Sequence, residues 1–189
     1  MYKAIGVIEL KSIPKGVEAA DAALKSAGIE MVSAHPSCPG KYEMILTGSI
    51  SDVTVAVEHV SKKFDGYVVD SAVMGKIDEQ VVKALFGTQE GERKGSLGLI
   101  ETFSASSAIK AADIAVKTAR VEIYDIRVSR GMGGKGVIML TGDVGDVTAA
   151  VEAGANYAKG VSTLSSYTVI ASPHKELWNQ MYHSLKSKR

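Results

Sequence analysis

One cysteine, Cys38, is all the thiol the chain has, so no internal disulfide can form and a reducing, cytosolic setting is the simplest expectation. Aromatic residues make up only 6% of the sequence and the net charge is +1. With no basic tract and no aromatics interleaved among basic residues, the electrostatic footprint of a nucleic-acid surface is missing. No segment approaches the roughly 18 apolar residues of a membrane helix, and Met1–Gly6 is too short an apolar run to read as a signal peptide. Neither a Ser-His-Asp set, nor carboxylates paired around a cleft, nor a metal motif within one chain is present, so the reading is of a protein that is not an enzyme.

What is present starts with a core. With 46% hydrophobic content over 189 residues, the chain can bury one large domain or two small ones. Proline is scarce, yet two of the four prolines flank the cysteine in His35-Pro36-Ser37-Cys38-Pro39-Gly40-Lys41. Each proline fixes φ and removes a donor, and Gly40 admits conformations closed to other residues, so Cys38 is expected on a stiff turn. A second glycine-rich turn, Gly131-Met132-Gly133-Gly134-Lys135-Gly136, stands at the matching place later in the chain. It lacks the Gly-x-x-x-x-Gly-Lys-Ser/Thr spacing of a phosphate loop. Its glycines suit backbones crowding round a narrow passage, where exposed amides attract anions.

The match between the two turns is part of a longer repeat. Gly6-Val7-Ile8-Glu9 recurs as Gly98-Leu99-Ile100-Glu101, and Ala19-Ala20-Asp21 with Lys25 as Ala111-Ala112-Asp113 with Lys117. Beyond the turns, Gly40-Lys41 matches Gly134-Lys135, Leu46-Thr47-Gly48 matches Leu140-Thr141-Gly142, and Asp52-Val53-Thr54 matches Asp146-Val147-Thr148. One domain has been duplicated in tandem, with halves expected at 1–90 and 91–189 on either side of a polar, glycine-rich linker over 87–95.

Each copy alternates strands and helices, an α/β (α+β sandwich) pattern. In the first, Tyr2–Leu10 reads as a strand and Lys15–Ser26 as a helix ended by Gly28. Val17, Ala20, Ala23 and Leu24 fall on one stripe of that helix, expected to face the sheet. Ile29–Ala34 and Tyr42–Gly48 form an antiparallel pair around the cysteine turn, followed by a helix at Ser51–Lys63 and a strand at Tyr67–Met74. The second copy gives strands at Ser96–Phe103, Val121–Val128, Gly136–Gly142 and Ser165–Ala171, with helices at Ser106–Thr118 and Asp146–Lys159. A short helix at Glu79–Phe86 lies between the copies.

The Gly-hydrophobic-Ile-Glu strand, the Ala-Ala-Asp helix with its lysine four positions on, the glycine-rich turn, the Thr-Gly-Asp-Val turn and the terminal Ser172-Pro173-His174 resemble the bacterial microcompartment shell proteins, over nearly the whole chain. Two such domains in one chain resemble the tandem, trimer-forming class. In that family three chains form a pseudohexagonal tile, tiles join edge to edge with other shell proteins, and the loops between second and third strands line a central pore. The resemblance therefore implies pore-lining roles for Ser37, Cys38, Pro39, Gly40, Gly131, Met132, Gly133 and Gly134. It implies a tile-edge role for Lys25 and Lys117, and a place in the shell of a cytoplasmic microcompartment.

The Cys38 turn, Pro173-His174 and the Trp178 segment are further similar to a propanediol-utilisation member of the family with an iron–sulfur cluster in its pore. That likeness implies a cluster, 4Fe-4S by preference, held by Cys38 from three subunits, with electron transfer or cluster transport across the shell and an encapsulated redox enzyme as partner. Read on its own, a lone cysteine is more often an inert thiol or small hydrophobe. Zinc is the rival metal, and His35 is a possible added ligand, although a histidine there more often reads as a polar loop residue leaning on a proline. Two further readings stand beside this one: a tile whose pore conducts metabolites with no cluster, and a ligand-sensing regulatory domain pair.

Overall fold

A computed structural model describes residues 4–86, 95–128 and 131–186. The domain boundary expected near residue 90, most of the linker, and the start of the first strand at Tyr2 lie outside the described residues.

The first copy runs β1 (Ala4–Leu10), α1 (Ile13–Ser26), β2 (Glu30–Ser37), β3 (Lys41–Gly48), α2 (Ile50–Lys63), β4 (Val68–Gly75) and α3 (Glu79–Leu85). The second repeats it as β5 (Ser96–Thr102), α4 (Ala105–Thr118), β6 (Val121–Val128), β7 (Gly136–Gly142), α5 (Val144–Gly160), β8 (Leu164–Ile170) and α6 (Lys175–Lys186). Each copy is one antiparallel four-stranded sheet, ordered β2-β3-β1-β4 and β6-β7-β5-β8. The registers agree: Ile5 pairs with Met74 as Leu97 pairs with Ile170, so residue 76 corresponds to 172 and 78 to 174.

The repeated glycine of the Gly-x-Ile-Glu strand has a packing reason. A methyl group at Gly6 would stand 2.8 Å from both Val53 and Val57 of α2, and one at Gly98 within 2.7 Å of Val147 and Val151 of α5. Only a bare backbone lets each helix lie this close to its strand. Helix starts follow the caps: the Ser12, Ser49 and Ser104 hydroxyls accept the amides of Lys15, Asp52 and Ser107. The end of α1 differs from expectation, because Ala27 turns extended and Gly28 is not a left-handed cap.

The stripe expected on α1 also divides differently. Ala20 and Ala23 are buried with Ala19 and Ala22, whereas Val17 and Leu24 point outward, 54% and 49% exposed. On α4 the matching Ile109 is fully buried and Val116 packs on the same core. The cause is that α4 packs against β1 and β4 of the first copy as well as its own sheet, joining Ile5, Val7, Ala72 and Met74 to Ile109 and Ala112 in one hydrophobic cluster. Among the described residues α1 packs only on α2 and its own β1, β2 and β3. At the C-terminus Trp178 of α6 covers Leu97 and lies edge-on to Tyr124 at 5.4 Å, so this helix packs on its own domain.

Candidate functional site

The two glycine-bearing turns meet. Strand β2 continues through His35 and Pro36 to a buried Ser37, leaving a short turn, Cys38–Gly40, whose three residues are exposed. Pro36 is tolerated because β2 is an edge strand. In the second turn Gly131, Gly133 and Gly134 all take positive φ, which explains the glycine run. Gly131 and Gly133 are exposed, Met132 is half-buried, and Gly134 is buried against the first turn. A methyl group at Gly134 would stand 2.7 Å from the Cys38 carbonyl oxygen and 3.0 Å from Pro39 Cδ. Arg130, the residue aligned beside Cys38, lies outside the described residues.

Beneath the turns lies an ion pair that reading the sequence did not single out. Lys41 Nζ donates to Glu9 Oε2 at 3.0 Å, and also reaches the carbonyls of Gly134 and Phe103 at 3.4 Å. The other Glu9 oxygen accepts the amide of Ser106 in the first turn of α4 at 2.8 Å, where the helix dipole favours a carboxylate. One fully buried acid thus ties the first sheet, the first turn and the second domain together. Burial pushes the Glu9 carboxyl above its ordinary value, against the Ser106 amide and Lys41, which pull it down, and Glu43 adds to the rise. Asp70 of β4 reinforces the joint by accepting the hydroxyls of Ser104 and Ser107.

The second copy repeats the pair in a more open setting. Lys135 Nζ is 2.9 Å from Glu101 Oε2, which also accepts the Ser165 hydroxyl at 2.6 Å. The Ser165 hydrogen bond, then Lys135, hold the Glu101 carboxyl below the usual range. At the place of Ser106 the first copy has Pro14, which has no amide to offer. The signal was in the repeat: a glutamate on the first strand and a lysine after the turn glycine recur together.

Lys25 and Lys117 lie far from the turns, at the opposite ends of α1 and α4. Lys25 Nζ pairs with Asp21 at 2.7 Å in the open, while Lys117 pairs with a buried Asp113 at 2.7 Å and donates to the Lys76 carbonyl at 2.9 Å. Asp113 in turn accepts the Asp78 amide across the domain joint.

The metal expectation at Cys38 is corrected. Among the described residues no group of three or more His, Cys, Asp or Glu side chains stands together as a metal-holding set. Cys38 is exposed, and its carbonyl and Pro39 lie against Gly134, where the Lys41 ammonium also reaches. His35 lies within β2, in register with Glu43. A donor set of one thiol fits neither an iron–sulfur cluster, which takes about four thiolates, nor a zinc site. The redox role and cluster transport that depended on it fall with it.

Two like α/β sheets, docked helix to sheet with the turns of their β2–β3 and β6–β7 hairpins side by side, make up a tandem shell-domain protein. The chain belongs to the BMC domain family, whose model matches residues 4–77 and again 96–173. It is 36% identical to the bacterial microcompartment shell protein PduT of Citrobacter freundii, over 96% of this chain and 98% of that one. It is 28% identical to the carboxysome assembly protein CcmO of Synechococcus elongatus, over 94% and 68%. A crystal structure of a microcompartment protein from Desulfitobacterium hafniense DCB superposes with a TM-score of 0.80 at 38% identity, covering 94% of this chain and 98% of that one. These findings make the chain a structural shell protein of a bacterial microcompartment, and no helix among the described residues is long and apolar enough to cross a membrane.

Proposed function

We propose that three copies of this chain close into a flat, pseudohexagonal tile that packs edge to edge with other shell proteins. The carrying observation is the mismatch between two equivalent helices. Ile109 and Val116 of α4 are packed at the joint between domains, while their counterparts Val17 and Leu24 on α1, with Ile13, stand in solvent. A head-to-tail joint repeated between chains as it occurs within one gives a ring when the rotation closes, and six like domains amount to three chains. In such a ring Ser37–Gly40 and Gly131–Gly134 from every chain line the central opening, and the far ends of α1 and α4, with Lys25 and Lys117, lie at the tile edge.

The opening is a passage for small polar metabolites. Its edges are small residues and backbone amides rather than a metal set, and the paired turns are braced from below by Glu9 and Lys41. Electron microscopy of concentrated protein tests the reading: extended layers of threefold tiles with a central opening are expected. Discrete particles of two or four chains with no layers contradict it, and favour a domain pair working alone.

A further inference from the structure

The joint inside the chain is held at its outer end by side chains of α4 bonded to main-chain groups of the first copy, and everything needed to make the same bonds between chains is present. Within the chain, Asp113 of α4 accepts the amide of Asp78 at 2.9 Å and Lys117 donates to the carbonyl of Lys76 at 2.9 Å. The acid and the amine are themselves paired at 2.7 Å, four residues apart. On α1, Asp21 and Lys25 form the same pair at the same 2.7 Å, but with side chains 61% and 73% exposed.

The receiving turn is repeated as well. Asp78 caps α3 by accepting the Gln80 amide at 2.8 Å, and His174 Nδ1 accepts the Glu176 amide at 3.3 Å at the start of α6. The matching registers of β4 and β8 put Ser172 where Lys76 stands and His174 where Asp78 stands. Ser172 and His174 are both exposed. Among the described residues, α1 and β8 of one chain make no contact, so the two halves of this second joint belong to different copies.

Building on the tile reading above, we infer that Asp21 accepts the backbone amide of the partner subunit's His174 while Lys25 donates to the carbonyl of the partner subunit's Ser172. The pair then sits in the seam within a tile, and the exposed Val17 and Leu24 close against the partner's second sheet beside it. An exposed ion pair alone contributes little, but one that also engages main-chain groups at a closing seam gains charge-assisted bonds. Lys25 thereby serves the trimer before it serves the contact between tiles.

The test is a dilution series followed by light scattering, on the full chain and on its Asp21→Ala/Lys25→Ala variant, with Lys62→Ala as an exposed control. The double variant should come apart at concentrations on the order of tenfold or more above those at which the unaltered chain does. The control should not shift. Amide hydrogen exchange gives an independent reading: the His174 amide should be protected in the assembled protein and lose that protection in the Asp21→Ala/Lys25→Ala variant, even at concentrations where the variant is still assembled. Unchanged assembly of the variant, with His174 exchanging as before, overturns the inference while leaving the tile intact. An unaltered chain that never self-associates overturns the tile reading, and this inference with it.

Discussion

The duplicated carboxylates Glu9 and Glu101 show how one motif is put to two uses by its surroundings. Glu9 is buried, with Lys41 on one oxygen and the Ser106 amide on the other, and its carboxyl is raised. Glu101 is reached by Ser165 and Lys135 in a half-open site, and its carboxyl is lowered. A raised carboxyl favours the protonated folded state, so the contribution of Glu9 is fully present below its unfolded value and is lost as pH rises through the folded one. Glu101 has the opposite sign: its contribution is present above the unfolded value and is lost as pH falls through the folded one. Carboxyl carbon NMR over pH 2–8 should place the Glu9 midpoint above, and the Glu101 midpoint below, the ordinary value of about 4.3. Coincident midpoints would mean that the buried joint does not differ from the open one. This pair was legible only through the repeat, since Glu9 and Lys41 are 32 residues apart and no local spacing links them.

At the scale of elements, nearly every strand and helix was legible, because turn residues and apolar periodicity agree within each copy. Strand β6 runs over Val121–Val128 and β7 over Gly136–Gly142, as read from the residues. What periodicity could not decide was which side of α1 the sheet takes. The helix carries small alanines on one side and Val17 and Leu24 on another, and the larger residues drew the expectation, although on the equivalent helix α4 that side packs on the other copy's sheet. Only α4, held between two sheets, reveals this. Ile109→Ala should therefore cost about 2–5 kcal/mol in urea denaturation of dilute, dissociated protein. Val17→Ala at the equivalent place should shift it by no more than about 0.5 kcal/mol. Equal losses at both positions would show that α1 is already covered within one chain.

For the molecule as a whole, the fold and its duplication were readable from sequence, whereas the iron–sulfur cluster expected at Cys38 was not upheld. A lone thiol between two prolines has the same sequence whether it binds a metal or shapes a turn. The structure favours the turn, with Gly134 seated against the Cys38 carbonyl and no converging ligands in reach among the described residues. What remains of the expectation is architectural: two domains joined by a helix-to-sheet contact, and, in the tile proposed above, the same contact made again between α1 and the second sheet of the next chain. Sedimentation equilibrium of the intact protein addresses that most directly. The account predicts a species of three 19.9 kDa chains; a mass that stays at one chain, or settles at two, contradicts it.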